Sequence, residues 1–250
     1  MNFHLFRSIR VIAEMVGAAG GQIRPDIGDN AWSCLHRLVR QAYDGHMTAE
    51  NKPQLLVTAF SDYICPFCYV GDARLQKLRD SYDLKINWRF VEIHPQTPAE
   101  GMPLSKLGYT EERWQMLMDN LKQLVKTDGL PLSDRTFTTR SHSALLLAEA
   151  AKSAGAAVFY DLHEKLFQAF FVANLNIGDE SLLRKIAAGC GLPESTINEA
   201  WTDPKYRQRL EQNLSAARQI GLTGVPTFII NNTKLTGAVP EEGLRKAAAG

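Results

Sequence analysis

The chain has 250 residues, 45% of them hydrophobic, enough to bury a sizeable core in one domain or in a domain with an insertion. Its 28 lysines and arginines balance 27 aspartates and glutamates, which excludes the basic excess of a nucleic-acid binder and any acidic tail. Four cysteines are too few for a disulfide scaffold, and no apolar run approaches the ~18 residues that span a bilayer.

Residues 1–52 differ from the rest. Leu5, Ile9, Ile12 and Val16 predict an amphipathic helix, and a Gly-rich break follows. A second helical patch runs through Trp32, Leu35 and Leu38 before a polar linker that contains Met47. Arg7 and Arg10 precede a short apolar stretch, and Val16-Gly17-Ala18 resembles a cleavage site. Glu14 interrupts that stretch, leaving it too short for a secretory signal. The expectation is an appendage of unknown role on a cytoplasmic protein, rather than a periplasmic or exported one.

From Pro53 the pattern is regular. LLVTAF (residues 55–60) reads as a short buried strand. Helical spacing follows at Val70, Ala73, Leu75 and Leu78, and then LKINWRFV (84–91) alternates as a strand with one wet face. Strand, helix, strand within some 37 residues is a βαβ unit. Helices are expected across 110–125, where Trp114, Leu117, Met118, Leu121 and Leu124 repeat at helical spacing, and across 141–155, ending at Gly155. Another spans 158–174, with Leu162, Leu166, Phe167 and Phe170 on a core face. Two more cover 179–191 and 203–221, the second with Asp203 as N-cap, Pro204 at the first helical position and Gly221 as terminator. PTFIINNTKLTG (226–237) reads as a hairpin around Asn231-Asn232, and PEEGLRKAAA (240–249) as a closing helix.

The chemistry sits at the end of the first strand, in SDYICPFCYVG. Cys65 opens a helix, and Pro66 takes the first helical position, where its missing N–H costs nothing. A thiolate there meets the positive end of the helix dipole and unpaired N–H groups, conditions that make a cysteine nucleophilic near neutral pH. Cys68 lies one turn deeper on the same face, within disulfide reach. Half of a zinc site would need two further ligands, but there is no second C-x-x-C and no H-x₃₋₅-H pair, so no metal is expected. Cys34 and Cys190 are isolated, and Cys190 reads as a buried small hydrophobe. Far away, GVPTFII places Val225-Pro226 just before a strand, where proline cannot donate to a ladder. Alone this is an ordinary trans proline; paired with the dithiol helix, it reads as a cis proline beside an active site. His94 reads as a turn residue, His142 and His163 as structural or solvated. Asp62 and Tyr63 are expected to shape the entrance without chemistry of their own.

These motifs, with VEIHPQTPAEGMPL and LFQAFFVANLNIGDESLL in support, resemble the DsbA-like branch of the thioredoxin superfamily, most closely its FrnE-like group. The resemblance covers about four-fifths of the chain, from Pro53 onward. It implies an α/β, thioredoxin-like fold over 53–96 and 204–250, with a helical domain inserted at 97–203. It implies a thiol–disulfide oxidoreductase without a dissociable cofactor. Cys65 would be the exposed nucleophile and Cys68 the resolving thiol. Pro226 would face them in cis, Val225 would offer backbone groups to an extended substrate, and Pro66 and Phe67 would tune the potential. Thiol- or disulfide-containing proteins or small molecules would be its substrates, and glutathione or thioredoxin its redox partner. The same scaffold hosts glutathione-dependent transferases and isomerases of the kappa and hydroxychromene-carboxylate types, which commonly carry serine where this chain has Cys65.

Overall fold

In the computed structural model, which describes residues 52–250, β1 (Gln54–Ser61) places Leu55, Val57 and Ala59 on one face. Leu56, Thr58 and Phe60 take the other, because successive side chains of a strand point to opposite sides. The first set enters the main core, while Phe60 joins Val91 and Ala217 in a smaller one. The sequence run suggested burial throughout, but Leu56 is 65% exposed. Cover on that face reaches only the Phe60 end of the strand, so Leu56, four residues upstream, stays in solvent. The helices expected in residues 5–16 and 32–38, the linker, Met47 and Cys34 lie outside the described residues.

α1 (Pro66–Gln76) follows β1, with Pro66 as its first residue, and a 3-10 turn (Lys77–Asp80) leads into β2 (Asp83–Phe90). β3 (Met102–Pro103) and β4 (Phe137–Thr138) form a two-stranded antiparallel pair on either side of α2 (Glu111–Asp128). The Thr110 hydroxyl accepts from the Arg113 N–H at the start of α2, and Gly129 ends it at φ 65°. Next come α3 (His142–Ala151), α4 (Ala156–Phe171), α5 (Glu180–Gly189), α6 (Glu194–Thr202) and α7 (Pro204–Gln219). Asp203 caps α7 by accepting from the Lys205 N–H, and Gly221 follows at φ 59°. β5 (Thr227–Ile230), β6 (Thr233–Thr236) and α8 (Glu241–Ala249) close the chain. No segment of the sequence singled out α6. Only Ile197 and Ala200 of that helix are buried, too few to raise a periodic signal.

The main sheet has the order β2-β1-β5-β6. β1 and β2 are parallel, Gln54 opposite Asp83 through Ser61 opposite Phe90, and α1 is the crossover that such a pair requires. β5 is antiparallel to both β1 and β6. Asn231 and Asn232 turn the hairpin at φ 45° and 66°, which asparagine tolerates.

The helices α3 to α7 share the main core with this sheet, while α2 packs Leu121 and Val125 with Val70 of α1 in a smaller cluster. α4 contributes Leu162, Leu166, Phe167 and Phe170, the apolar stripe visible in the sequence, and also Phe159, to the same cluster as Tyr63, Trp88 and Phe90. Tyr63 and Phe167 lie 4.9 Å apart between ring centroids, and Tyr63 and Phe90 lie 5.2 Å apart. α1 is further pinned by a buried charge: the Arg74 Nε donates to Asp128 Oδ2 of α2 at 2.7 Å, and its Nη1 donates to the Ala238 carbonyl at 2.6 Å.

Candidate active site

The turn from β1 into α1 sets the geometry of the two thiols. The Cys65 N–H donates to the Asp62 carbonyl at 3.2 Å, and Cys65 takes the N-cap position with extended dihedrals of φ −86° and ψ 114°. Its carbonyl accepts from the N–H groups of Cys68 (3.0 Å) and Tyr69 (3.3 Å), which starts the helix and fixes Cys68 one turn away on the same side. The Cys65 thiol donates to the Val225 carbonyl at 3.5 Å, and the Val225–Pro226 peptide is cis. Five of the six residues that the sequence nominated therefore meet at the head of α1: Cys65, Pro66, Cys68, Val225 and Pro226. Phe67, the sixth, turns half-buried toward Val70, Leu121 and Val125, where α1 meets α2.

The approach of the proline loop to α1 depends on Gly71. A Cβ there would lie 2.8 Å from Pro226 Cγ and 3.1 Å from Phe228 Cζ. Gly71→Ala is expected to destabilise the fold by about 1–3 kcal/mol through overpacking. Urea denaturation reads this, and an unchanged midpoint would contradict the contact.

Cys65 is only 4% exposed, not the exposed thiol expected from the resemblance, because its sulfur packs beneath the Val225 carbonyl. Cys68 is more deeply buried and accepts from the Asp62 N–H at 3.5 Å. Burial, and then the neighbouring Cys65, push the Cys68 thiol well above its ordinary range, so it rests protonated.

Two residues before the dithiol play parts that the sequence reading missed. Asp62 is fully buried, with its carboxylate accepting from the N–H groups of Ile93 (2.9 Å) and Ile64 (3.3 Å). Burial raises its pKa from 3.8 to about 6, against the lowering effect of those hydrogen bonds. The folded chain thus holds this proton more tightly than the unfolded one. The stability associated with it is full below pH 3.8 and is lost as pH rises through about 6. Wild type should lose up to about 3 kcal/mol across that window relative to Asp62→Asn, whose side chain does not titrate. Denaturation at stepped pH tests the difference in slope, and parallel curves would contradict it.

Tyr63 does not shape an entrance. It is fully buried, and its hydroxyl bonds to Nδ1 of His163 at 2.7 Å. Burial, then the charges of Asp72, Glu149 and Asp62, hold the phenol well above its ordinary pKa. His163 is buried in α4, 100 residues from Tyr63, a separation that leaves no local signal in the sequence. His94 is the turn residue expected, its carbonyl accepting from the Thr97 N–H at 3.1 Å, and burial lowers its pKa. His142 pairs with Glu92 at 3.1 Å. Burial lifts the Glu92 pKa, but hydrogen bonds from His142 and Arg140 outweigh it and leave a net lowering. Cys190 lies at the end of α5, also buried, with its thiol pushed up to about 11 by burial. Among the described residues no group of three or more His, Cys, Asp or Glu side chains could hold a metal ion, and no helix is long and apolar enough to cross a membrane.

Known proteins are similar to this chain. YwbO, an uncharacterized protein of Bacillus subtilis, is 27% identical over 194 residues, covering 76% of this chain and 94% of its own. A probable DsbA oxidoreductase from Streptomyces coelicolor superposes with a TM-score of 0.69 at 26% identity, over 78% of this chain and 89% of that one. A 2-hydroxychromene-2-carboxylate isomerase shares the fold, with a TM-score of 0.61 at 19% identity over 78% and 94% of the two chains. Residues 56–249 match the DSBA-like thioredoxin domain. The four-stranded sheet, the helices inserted between β2 and β5 and the C-x-x-C pair at the head of α1 are accordingly those of a thioredoxin-like fold, and the chain belongs to the DsbA-like thioredoxin-domain family of thiol–disulfide oxidoreductases.

Proposed function

We propose that this chain exchanges disulfides through Cys65 as nucleophile and Cys68 as resolving thiol. The observation that carries the reading is the placement of both thiols on the first turn of α1, with the Val225 carbonyl on the Cys65 sulfur. The Cys65 thiolate attacks a substrate sulfur and the substrate S–S bond breaks, leaving a Cys65–substrate disulfide and one free substrate thiol. Cys68 then gives up its proton to the solvent and attacks the Cys65 sulfur, which releases the second substrate thiol. The substrate gains two electrons and the chain ends as a Cys65–Cys68 disulfide. The raised pKa of Cys68 holds it as a thiol until the mixed disulfide forms.

Val225 and Pro226 border the thiols and would pair with an extended substrate segment by short strand addition. Pro66 and Phe67 set the start of the helix and, through it, the potential. The chain acts in the cytoplasm as a member of the FrnE-like group, on protein or small-molecule disulfides, and glutathione or thioredoxin returns its electrons. In a reducing compartment the dithiol would reduce or isomerise rather than install disulfides. Within this reading 53–96 and 204–250 form the thioredoxin-like domain, and 97–203 the insertion.

Mixing the reduced protein with glutathione disulfide tests the proposal. An internal Cys65–Cys68 disulfide with two glutathiones released per chain is the expected product. Glutathione consumption that leaves Cys68 reduced throughout would instead favour a transferase or isomerase of the kappa or hydroxychromene-carboxylate type, which needs no second thiol.

A further inference from the structure

A groove of about 1090 Å³ opens between α1, the loop at Leu130 and Pro131, α4 and α5. None of Cys65, Pro66, Phe67, Cys68, Val225 or Pro226 lines it, so it is separate from the mouth of the dithiol. Its walls are apolar and aromatic, with Tyr69, Tyr160, Phe167 and Ile186 joined by Val172 and Leu175. The last two are 37% and 41% exposed, large apolar side chains left open to solvent side by side at the groove.

Asp72 and His163 give the groove its polar floor. The Tyr63 hydroxyl and Nδ1 of His163 are hydrogen-bonded at 2.7 Å; because Nε2 faces the Asp72 carboxylate, we assign the phenol as the donor and the ring hydrogen to Nε2. That buried Nε2–H has no hydrogen-bond acceptor; Asp72 Oδ1 stands 3.6 Å away, beyond hydrogen-bond distance. Asp72 takes the Gln76 amide at 2.8 Å, and among the described residues no lysine or arginine pairs with it. The other charges along the lining are differently engaged. Lys165 is held by Asp161, Arg79 lies over the Tyr160 ring, Glu164 accepts from Gln168, and Lys185 sits at the exposed rim.

We propose that this groove is a second binding site, for a small uncharged aromatic molecule whose hydroxyl group seats between Asp72 and His163. A hydroxyl can donate to the carboxylate and accept from Nε2–H at once. An ammonium has only donors, and an anionic head would face Asp72 and Glu164. A shift of the Asp72 side chain, itself 15% exposed, admits the oxygen. The ring then lies against Tyr69, Tyr160 and Phe167. Tyr69 follows Cys68 directly and Asp72 lies one turn further along α1, so an occupant would touch the dithiol helix from the side away from Val225.

The test is a calorimetric titration of the full chain with 2-naphthol and with 2-methoxynaphthalene, which keeps the rings but cannot donate. It reads binding alone and does not depend on disulfide exchange, so its outcome is independent of the redox reading. Because a hydrogen bond to a charged group is involved, naphthol should bind about tenfold or more tightly than the methyl ether. Asp72→Ala should remove that preference. Ala173→Trp, an exposed change at the rim, should block both ligands while leaving the fold intact. Equal affinity for the two ligands, no binding of either, or binding indifferent to Ala173→Trp would overturn the proposal.

Discussion

Replacing Cys65 with serine is expected to reduce thiol–disulfide exchange to the uncatalysed background, and replacing Cys68 with serine to accumulate mixed disulfides, approaching about one adduct per chain. The two variants differ because the proposed mechanism gives the two sulfurs different work. Cys65 takes the extended N-cap position of α1, and in the proposed mechanism its sulfur makes the first attack. A serine hydroxyl at that position stays protonated and cannot open a disulfide. Cys68 is buried and kept protonated, so its loss leaves the first attack intact and removes only the resolving step. Intact-mass spectrometry after acid quench reads both outcomes. Exchange that survived Cys65→Ser, or a Cys68→Ser protein free of adducts after exposure to disulfide substrates, would remove the assigned roles.

The largest effect on stability is expected at Asp128. Its carboxylate is bonded to Arg74 at 2.7 Å with both side chains nearly buried, at 9% and 5% exposure, and Lys77 adds a longer contact at 3.7 Å. Asp128→Ala leaves the guanidinium of Arg74 uncompensated inside the protein, and a loss of about 3–5 kcal/mol should follow. Replacing both partners, as Arg74→Met with Asp128→Leu, should cost much less than either single change, because two buried charges leave together. Chemical denaturation of the three variants tests this directly. An Asp128→Ala protein within about 1 kcal/mol of wild type would show that the pair is solvated rather than buried. Since Arg74 belongs to α1, the pair also anchors the helix that carries the dithiol to α2 and, through the Ala238 carbonyl, to the loop before α8.

Much of this site was legible in the letters because its signals are local. Cys65, Pro66 and Cys68 lie within four residues, and a strand before them with a helix after them sets their geometry without help from elsewhere. Val225-Pro226 was legible only in company, since a proline ahead of a strand reads as an ordinary trans residue alone and as cis once a dithiol helix stands elsewhere in the chain. Asp203, Gly221 and the Asn231-Asn232 turn were readable from capping and turn chemistry alone. What stayed hidden depends on distant partners. The buried carboxylate of Asp62 is satisfied by the backbone of Ile93, 31 residues on, and Tyr63 by His163 of α4. Leu56 misled for the same reason: whether a strand face is covered depends on where α7 ends, not on the strand. Likewise the burial of Cys65 follows from the Val225 carbonyl, 160 residues away.

The central claim, that Cys65 and Cys68 form one redox couple, is tested most directly by equilibrating the protein in a graded series of glutathione redox buffers. After alkylation, the mass of the Cys65–Cys68 peptide is then measured. A single two-electron transition between the dithiol and an intramolecular disulfide is the predicted result. A peptide that alkylates at both cysteines, or carries only bound glutathione, at every poise would contradict it.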